Sequence, residues 1–303
     1  QNCCQKQSCC QPQPCCQKPQ QSCCQQQEKN ETEKRNEVRD WYTDVAESKC
    51  QNGQCCQRVP EKAEKLALEL GYSVEELSKI PEGANMGLSS GNPAALAALK
   101  PGELVLDLGC GAGFDVFVAG LKVGEHGRAI GVDMTHEMLT KARQNVAQYT
   151  ERSGLHNVEF RLGEIEHLPV ANSSVDVVIS NCVLNLSPNK LQVWKEIARV
   201  LKPNGRIAIS DLALVKPLPE AVREIAASRS LCVNGAIYIS ETEQFLKQVG
   251  FQDVQLTKKD EYINAKVQFE DPVYDHVRDQ LPPNAQAKDY ITSLEIKATK
   301  IAK

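Results

Sequence analysis

The stretch Leu104-Val105-Leu106-Asp107-Leu108-Gly109-Cys110-Gly111-Ala112-Gly113 decides the fold of this chain. It starts as a short apolar run, which predicts a buried strand, and it ends in an acid and a glycine-rich turn that opens a helix. The glycines permit backbone conformations that side chains forbid, and they let a ligand approach the backbone closely. This order is typical of the ligand-binding end of a doubly wound sheet.

Four more apolar runs follow, and helical segments such as 137–149 and 190–201 lie between most of them. The runs span residues 128–133, 158–161, 175–180 and 206–211. Strands that alternate with helices predict βαβ units. The expected fold class is therefore α/β, with a Rossmann-like, mostly parallel sheet, helices on both faces and a small C-terminal α+β appendage.

Composition divides the chain into four parts. The first part has almost no aliphatic side chains to bury, so we expect it to be disordered. A short helix is expected around 38–45. The parts are a Cys/Gln-rich segment (1–36), a helical lead-in with a cysteine cluster (37–100), the cofactor-binding core (101–215), and a substrate-covering region with the appendage (216–303).

Charge and hydropathy exclude two classes of protein. Lys and Arg number 35 against 39 Asp and Glu, so no basic excess points to nucleic acid. No apolar run approaches the roughly 18 residues that span a bilayer. The polar N-terminus shows no signal peptide, and a chain that begins with Gln is expected to be processed or truncated.

The fourteen cysteines are unevenly spread. Cys110, Cys182 and Cys232 are scattered through the predicted folded body, which is large enough to build its own core without disulfides. Single thiols of this kind suggest a reducing compartment, so we expect the cytoplasm. The others are Cys50, Cys55, Cys56 and four Cys-Cys pairs at 3–4, 9–10, 15–16 and 23–24.

The glycine-rich turn favours one kind of nucleotide ligand over another. Its spacing is G-x-G-x-G, whereas dinucleotide sites usually have G-x-G-x-x-G. Asp107 would repel a pyrophosphate but suits an ammonium group. Asp133, at the end of the second run, is placed to accept both hydroxyls of a ribose.

This segment resembles motif I of the class I S-adenosylmethionine methyltransferases. In that family the acid and glycines hold the methionine part, the acid after the second strand holds the ribose, and the segment after the third lies beside the adenine. The resemblance implies S-adenosylmethionine as the cofactor and a set of contacts. They are Asp107, Gly109, Gly111, Gly113, Asp133, Met134, Glu164, Ile165 and Asn181.

Two cysteines fall where a methyl acceptor would bind. Cys182 follows the fourth strand, and ligands of doubly wound sheets bind outside the carboxyl ends of the strands. Cys232 follows a helix that could fold back over the same edge. Two converging thiolates form a site for a soft metal or metalloid, whose lone pair could attack a methyl group without a general base. The alternative, that both are small buried hydrophobic residues, stays open. Cys110 is expected to be a small filler in its turn.

Residues from about 37 to 255 are similar to the arsenite methyltransferase family. The resemblance implies that Cys182 and Cys232 bind trivalent arsenic for detoxification. It also implies a third thiolate or a disulfide relay from Cys50, Cys55 or Cys56, a thiol reductant such as glutathione or thioredoxin, and a monomer. The similar segments include 81–85, 91–93, 107–115 and 131–135, besides those around the two thiols.

One position departs from the family pattern. The family usually has Cys-Gly-Asn-Pro, whereas this chain has Ser90-Gly91-Asn92-Pro93. A serine hydroxyl cannot replace a soft thiolate on arsenic or form a disulfide. The third ligand and the internal reductant are therefore in doubt. The N-terminal Cys-Cys pairs either gather soft ions for the enzyme or have no catalytic role.

Two other functions remain as alternatives. A methyltransferase for an organic acceptor would leave Cys182 and Cys232 unexplained. A metal-sequestering protein on a vestigial scaffold would not need an intact acid and glycine motif.

Overall fold

The computed structural model describes residues 20–47, 60–220, 222–223, 231–259, 281–282 and 284–302. Cys50, Cys55 and Cys56 lie outside these ranges, as do the Cys-Cys pairs at 3–4, 9–10 and 15–16. The hypotheses about these cysteines therefore remain predictions.

The described strands are β1 (Leu104–Leu108), β2 (Arg128–Asp133), β3 (Val158–Leu162), β4 (Val175–Asn181), β5 (Leu201–Leu214), β6 (Ile237–Tyr238), β7 (Phe251–Lys259) and β8 (Ile291–Lys300). They form one eight-stranded sheet in the order β3-β2-β1-β4-β5-β8-β7, with β6 paired to β5. The pairs among β1 to β6 are parallel, and the pairs of β8 with β5 and β7 are antiparallel. The predicted, mostly parallel sheet is confirmed.

The described α-helices are α1 (Gln20–Glu47), α2 (Pro60–Glu69), α3 (Val74–Lys79), α4 (Pro93–Leu96), α5 (Phe114–Val123), α6 (His136–Ser153), α7 (Lys190–Val200), α8 (Leu231–Asn234) and α9 (Ile239–Gln248). Short 3-10 turns occupy Leu184–Leu186 and Ala287–Asp289. Among the helices of the described ranges, none combines the length and apolar character needed to cross a membrane.

Apolar layers cover both faces of the sheet. Leu106 of β1 packs into a cluster on one face with Trp194 of α7. Its neighbour Val105 belongs to the opposite cluster, with Phe117 of α5 and Tyr149 of α6. Successive residues of a strand point to opposite faces. The central strands therefore read as continuous apolar runs, because helices cover both of their faces.

The N-terminal prediction needs correction. We expected 1–36 to be disordered and a short helix around 38–45; residues 1–19 lie outside the described ranges, but α1 is continuous from Gln20 to Glu47. Gln, Glu and Lys are good helix formers, so this polar segment favours a helix despite its low apolar content. Side chains in its second half also bind the rest of the fold, which supplies the stabilisation that the composition lacks.

The C-terminal region also differs from the prediction of a small appendage. β8 pairs along the second part of β5, from Leu214 opposite Ile291 to Arg206 opposite Thr299, and β7 pairs with β8. Both strands thus extend the main sheet. β8 pairs with β5 because the edge of β5 that faces away from β4 would otherwise lack a hydrogen-bonding partner over this stretch.

Candidate functional site

The residues predicted to bind the cofactor lie at one edge of the sheet. Strands β1 to β4 are parallel, so their carboxyl ends meet there. In chain order this edge carries Asp107, Gly109, Gly111 and Gly113 from β1 and its turn, Asp133 and Met134 from β2, Glu164 and Ile165 after β3, and Asn181 from β4. The structure brings all of these residues together, and their roles stay predictions.

The glycine-rich turn leaves open space beside its backbone. Gly111 has a φ of 51°, in the left-handed region that favours glycine. A Cβ atom added there would have no neighbour closer than the Met138 sulfur, at 4.0 Å. At Gly109 an added Cβ atom would instead collide with the Val183 side chain. Gly109 therefore allows the loop after β4 to pack against the turn, and Gly111 leaves room for a ligand.

Three buried or half-buried acids surround this turn. Asp107 is 3% exposed, and no hydrogen-bond donor of the described residues reaches its carboxylate. Burial raises the pKa of Asp107 well above its ordinary value, and the charges of Asp115 and Asp133 raise it further. Burial also raises the pKa of Asp115 to about 6. A ligand cation would relieve this repulsion, so the site fits the ammonium group of S-adenosylmethionine.

Asp133 anchors the turn to the end of β2. One carboxylate oxygen accepts a hydrogen bond from the Gly111 N–H (2.9 Å), and the other accepts one from the Thr135 N–H (2.8 Å). Burial raises the pKa of Asp133, whereas hydrogen bonds from Thr135, Gly111 and Met134 act in the opposite direction. Asp133 therefore has a structural role in addition to the predicted one.

Replacing Asp133 tests the predicted ribose contact. We expect Asp133→Ala to weaken S-adenosylmethionine binding by about 1–3 kcal/mol, the range for hydrogen bonds to a charged group. Calorimetry measures the affinity, and denaturant unfolding reports the loss of the Gly111 anchor separately. Asp133→Asn keeps one acceptor oxygen and should lie between the two proteins. An alanine variant that binds as tightly as the wild type would disprove the ribose contact.

A chain of hydrogen bonds links this acidic region to Ser90. The Tyr72 hydroxyl donates to Asp115 (2.5 Å), and the Asn181 amide donates to the other oxygen of that carboxylate (2.9 Å). The Asn181 side-chain oxygen accepts from the Ser90 N–H (2.6 Å) and hydroxyl (3.0 Å). The Ser90 hydroxyl also lies 3.0 Å from the Ser210 carbonyl oxygen. Ser90 is 1% exposed, so it is part of the floor of the site.

Cys182 has a strained backbone. Its φ of 59° lies in the left-handed region, which costs a residue with a side chain about 1–2 kcal/mol. Its N–H donates to the Ser210 carbonyl oxygen (2.8 Å), the same atom that the Ser90 hydroxyl contacts. Such strain persists only where neighbours hold it, and it concentrates at functional sites.

The structure brings Cys232 next to Cys182. The Cys232 sulfur lies 3.5 Å from the Cys182 carbonyl oxygen, to which it donates a weak hydrogen bond. Both residues are half-buried. Within the part of the chain that is described, no group of three or more His, Cys, Asp or Glu side chains could hold a metal ion. The described site therefore offers two thiols, as the sequence predicted.

A buried acid that we did not predict holds the loop after Cys182. The Asp211 carboxylate accepts a hydrogen bond from the Asn185 amide (2.8 Å). Burial raises the pKa of Asp211 to about 6, although backbone hydrogen bonds and the Lys190 charge act in the opposite direction. Lys190 donates to the Ser187 carbonyl oxygen (3.0 Å). These contacts fix the turn that positions the thiol.

Some of the missed residues carried a signal in the sequence. Asp115 closes the segment that resembles the family motif, and Asp211 ends an apolar run just as Asp133 does. Tyr72 carried no such signal, because its contact with Asp115 joins residues that are distant in the chain.

Helix α1 crosses the same edge of the sheet. Arg39 donates to the Glu164 carboxylate (3.2 Å), and Arg35 lies 3.5 Å from it. The Thr43 hydroxyl donates to Glu137 at 3.0 Å. The helix therefore covers the part of the edge where the predicted adenosine contacts lie.

Cys110 belongs to the core. It is 7% exposed, and burial raises the pKa of its thiol well above the ordinary value, with Asp133 and Asp107 adding to the effect. A neutral, buried thiol packs as a small hydrophobic residue, in agreement with the predicted filler role.

Comparison with protein families places residues 99–268, more than half of the chain, in a family described as a methyltransferase domain. The chain is 49% identical over 210 residues to an arsenite methyltransferase from Halobacterium salinarum, covering 69% of this chain and 52% of that protein. It is 40% identical to a human arsenite methyltransferase, covering 48% of this chain and 40% of that protein. The chain thus spans about half the length of the curated relatives it matches.

Among solved structures, similarity is found to an arsenic (III) S-adenosylmethionine methyltransferase from Chlamydomonas reinhardtii. The identity is 32% and the TM-score is 0.57, over 78% of this chain and 73% of that one. A phosphoethanolamine methyltransferase from Haemonchus contortus has a TM-score of 0.58 at 17% identity, over 82% of this chain and 59% of that one. The second likeness supports the fold alone.

Proposed function

Since the chain belongs to the arsenite methyltransferase family, we propose that it transfers a methyl group from S-adenosylmethionine to trivalent arsenic held by Cys182 and Cys232. One observation carries the proposal. The two thiols meet outside the carboxyl ends of the strands, next to the acidic glycine-rich turn. An acceptor bound to these sulfurs would lie beside the cofactor site.

The cofactor-binding residues of this proposal are those at the ends of β1 to β4. Asp107 would hold the ammonium group, the open space at Gly111 would admit the methionine part, and Asp133 would bind the ribose. Glu164 and Ile165 would lie beside the adenine. S-adenosylmethionine supplies an electrophilic methyl group on a sulfonium.

The thiolates have three tasks in this reaction. They hold arsenic as a soft ligand pair, orient its lone pair toward the methyl group, and make a general base unnecessary. Transfer of a methyl cation to the lone pair oxidises arsenic from the trivalent to the pentavalent state. Two thiols must then be oxidised to a disulfide, and their two electrons reduce the arsenic back to the trivalent state. We propose that glutathione, thioredoxin or the Cys50, Cys55 and Cys56 segment supplies them.

We propose a monomer, because Cys182, Cys232 and the proposed cofactor contacts all come from one chain, and we propose that it acts in the cytoplasm, where thiols stay reduced, for arsenic detoxification.

The decisive experiment compares acceptors. Purified full chain with S-adenosylmethionine is supplied with arsenite, methylarsenite or a panel of organic acceptors such as quinones and sterols, with glutathione present. Methylated arsenic in the first two reactions supports the proposal. Transfer to an organic acceptor alone would favour the organic methyltransferase. Binding of arsenic without cofactor affinity would favour sequestration.

Ser90 leads to a prediction about substrate preference. Arsenite has three positions to fill and the described site has two thiols, whereas methylarsenite already carries one carbon. We therefore expect the wild type to prefer methylarsenite, and Ser90→Cys to raise turnover of arsenite selectively. A thiol is also a weaker donor than the Ser90 hydroxyl, which lies 3.0 Å from the Asn181 side-chain oxygen and from the Ser210 carbonyl oxygen, so the variant should lose about 1 kcal/mol of stability.

Initial rates with both substrates, with and without excess glutathione, test this prediction. Ser90→Ala is the matched control, because it removes the same hydrogen bond without adding a thiol. Equal gains on both substrates would indicate a disulfide relay rather than a third ligand. No gain on either would mean that position 90 does not reach the arsenic, or that the Cys-rich N-terminus already supplies the missing thiol.

A further inference from the structure

The segment of Ser90 and Gly91 is held in place through its backbone as well as through the Ser90 hydroxyl. The Asn181 amide donates to the Gly91 carbonyl oxygen (3.0 Å), and the Asn181 side-chain oxygen accepts from the Ser90 N–H (2.6 Å). From β8, the Ser293 hydroxyl donates to the Ser90 carbonyl oxygen (2.9 Å). A Cβ atom added at Gly91 would collide with the Ser210 side chain, so the segment lies close against β5. Side chains of the sheet therefore fix the path of this segment.

Asn181 joins the segment to Cys182, because it directly precedes that thiol at the end of β4. Its side-chain nitrogen donates to Asp115 (2.9 Å) as well as to Gly91, and its side-chain oxygen accepts from both the N–H and the hydroxyl of Ser90. An amide side chain has two hydrogens and two acceptor sites, and protein groups engage all four. The side chain that we expected beside the cofactor thus has a full set of protein partners.

Asp115 sets the orientation of this amide. An ionised carboxylate accepts hydrogen bonds and cannot donate them, so it turns the nitrogen of Asn181 toward itself and the oxygen toward Ser90. Tyr72 holds the other side of the carboxylate, since its hydroxyl donates to the second oxygen at 2.5 Å. The same hydroxyl lies 3.1 Å from the Gly91 carbonyl oxygen, but its single hydrogen favours the nearer, charged acceptor.

The Tyr72 hydroxyl keeps Asp115 in the form that this orientation needs. Tyr72 is 2% exposed, and its ring packs against Phe114 with centroids 4.9 Å apart, so the ring holds the hydroxyl in place. Burial raises the pKa of Asp115 to about 6, whereas the hydrogen bonds from Tyr72 and Asn181 act in the opposite direction. Without the hydroxyl, Asp115 would take up a proton more readily and could then donate, so the amide could turn over.

We propose that Tyr72 is a positioning residue of the methyl-transfer site, which acts through Asp115 and Asn181 to hold residue 90 and the backbone before Cys182 in place. The inference rests on the proposed function, because the acceptor in question is arsenic bound to Cys182. The loss of partners that orient a ligand typically costs about 10–100-fold in affinity or activity.

Tyr72→Phe tests the inference, because it removes only the hydroxyl. Tyr149→Phe is the matched control. Tyr149 is also fully buried, and its hydroxyl donates to Asn157 (2.9 Å), which binds the carbonyl oxygens of Gly120 and Gly124 at the opposite end of the sheet. Initial rates with methylarsenite and glutathione give kcat/KM for the full chain at a temperature at which every variant is folded. Calorimetry gives the affinity for S-adenosylmethionine.

We expect Tyr72→Phe to lower kcat/KM for methylarsenite about tenfold, with cofactor affinity almost unchanged, and Tyr149→Phe to alter neither. A double-mutant cycle with Asn181→Ala distinguishes positioning from a general structural role. If Tyr72 acts through Asn181, Tyr72→Phe should cause little further loss in the Asn181→Ala background, because the connection is already broken.

Three results would overturn the inference. The first is a kcat/KM in Tyr72→Phe equal to that of Tyr149→Phe. The second is a tenfold loss that persists undiminished in the Asn181→Ala background, since Tyr72 would then act independently of Asn181. The third is an equal loss of cofactor affinity, which would assign Tyr72 to the cofactor site. A wild-type chain that methylates no arsenic would overturn the proposed function as well, and is therefore distinguishable from all three.

Discussion

We expect Cys182→Ser and Cys232→Ser each to abolish methyl transfer to arsenic while leaving S-adenosylmethionine affinity almost unchanged. Serine has nearly the size of cysteine, but its hard hydroxyl cannot bind arsenic as a thiolate does. The Cys232 change keeps a donor for the Cys182 carbonyl oxygen, so the local hydrogen bond is retained. We therefore expect these variants to lose methyl transfer while they remain folded.

Cys110→Ser is the matched control for this prediction. Its thiol is buried in the core, so the change should lower stability by about 1–3 kcal/mol through an unsatisfied hydroxyl, yet preserve arsenic methylation at a temperature where the protein is folded. Product analysis with both arsenicals and calorimetry with the cofactor give the comparison. Full turnover of methylarsenite by Cys232→Ser would exclude the two-thiolate site.

The second large effect is expected at Asp107. Asp107→Asn keeps the shape but removes the charge that would pair with the ligand ammonium group. We expect S-adenosylmethionine binding to weaken by about 2–3 kcal/mol, the upper range for hydrogen bonds involving charged groups. The protein without cofactor should become more stable, because a buried carboxylate with no described donor is replaced by a neutral group.

The effect of Asp107 on stability and on cofactor affinity depends on pH, and the raised pKa of Asp107 sets the direction of this dependence. The unfolded carboxyl ionises near pH 4 and the folded one only at higher pH, so its cost to stability grows as pH rises through this interval. Asp107→Asn should therefore stabilise the protein more at pH 8 than near pH 4. Cofactor binding needs the ionised form, so wild-type affinity should fall as the pH drops through the raised pKa of Asp107.

Asp176→Asn provides the control at the opposite end of β4. Its carboxylate accepts from Lys202 (2.8 Å) and from the Leu104 N–H (2.9 Å), away from the proposed site. Calorimetry at several pH values and denaturant unfolding measure all three proteins. Equal cofactor affinities for Asp107→Asn and Asp176→Asn would contradict the ammonium contact.

The parallel part of the fold could be predicted because its signals are local. Each of β1 to β5 is an apolar run, and the helices between them fix their direction. β7 and β8 could not be placed in this way. Their pairing depends on which edge of the sheet lacks a partner, and β7 is polar at alternate positions as expected for an outer strand.

The residues of the candidate site also fall into two groups, those that the sequence could place and those that it could not. Asp107 and Cys182 follow predicted strands, so the geometry of a parallel sheet is sufficient to place them at one edge. Arg39 and Ser90 instead contact residues far along the chain, Glu164 and Asn181. No periodicity or spacing predicts these contacts, because they depend on how α1 and the segment before α4 pack against the folded sheet.

The insertion of β8 between β5 and β7 has a consequence for biosynthesis. β5 leaves the ribosome long before its neighbour β8, since Leu214 pairs with Ile291 and Arg206 with Thr299. During that interval a long strand exposes one unpaired edge, which is a template for aggregation. The nascent chain must therefore wait for β8, and chaperones that shield β5 would raise the yield of active protein.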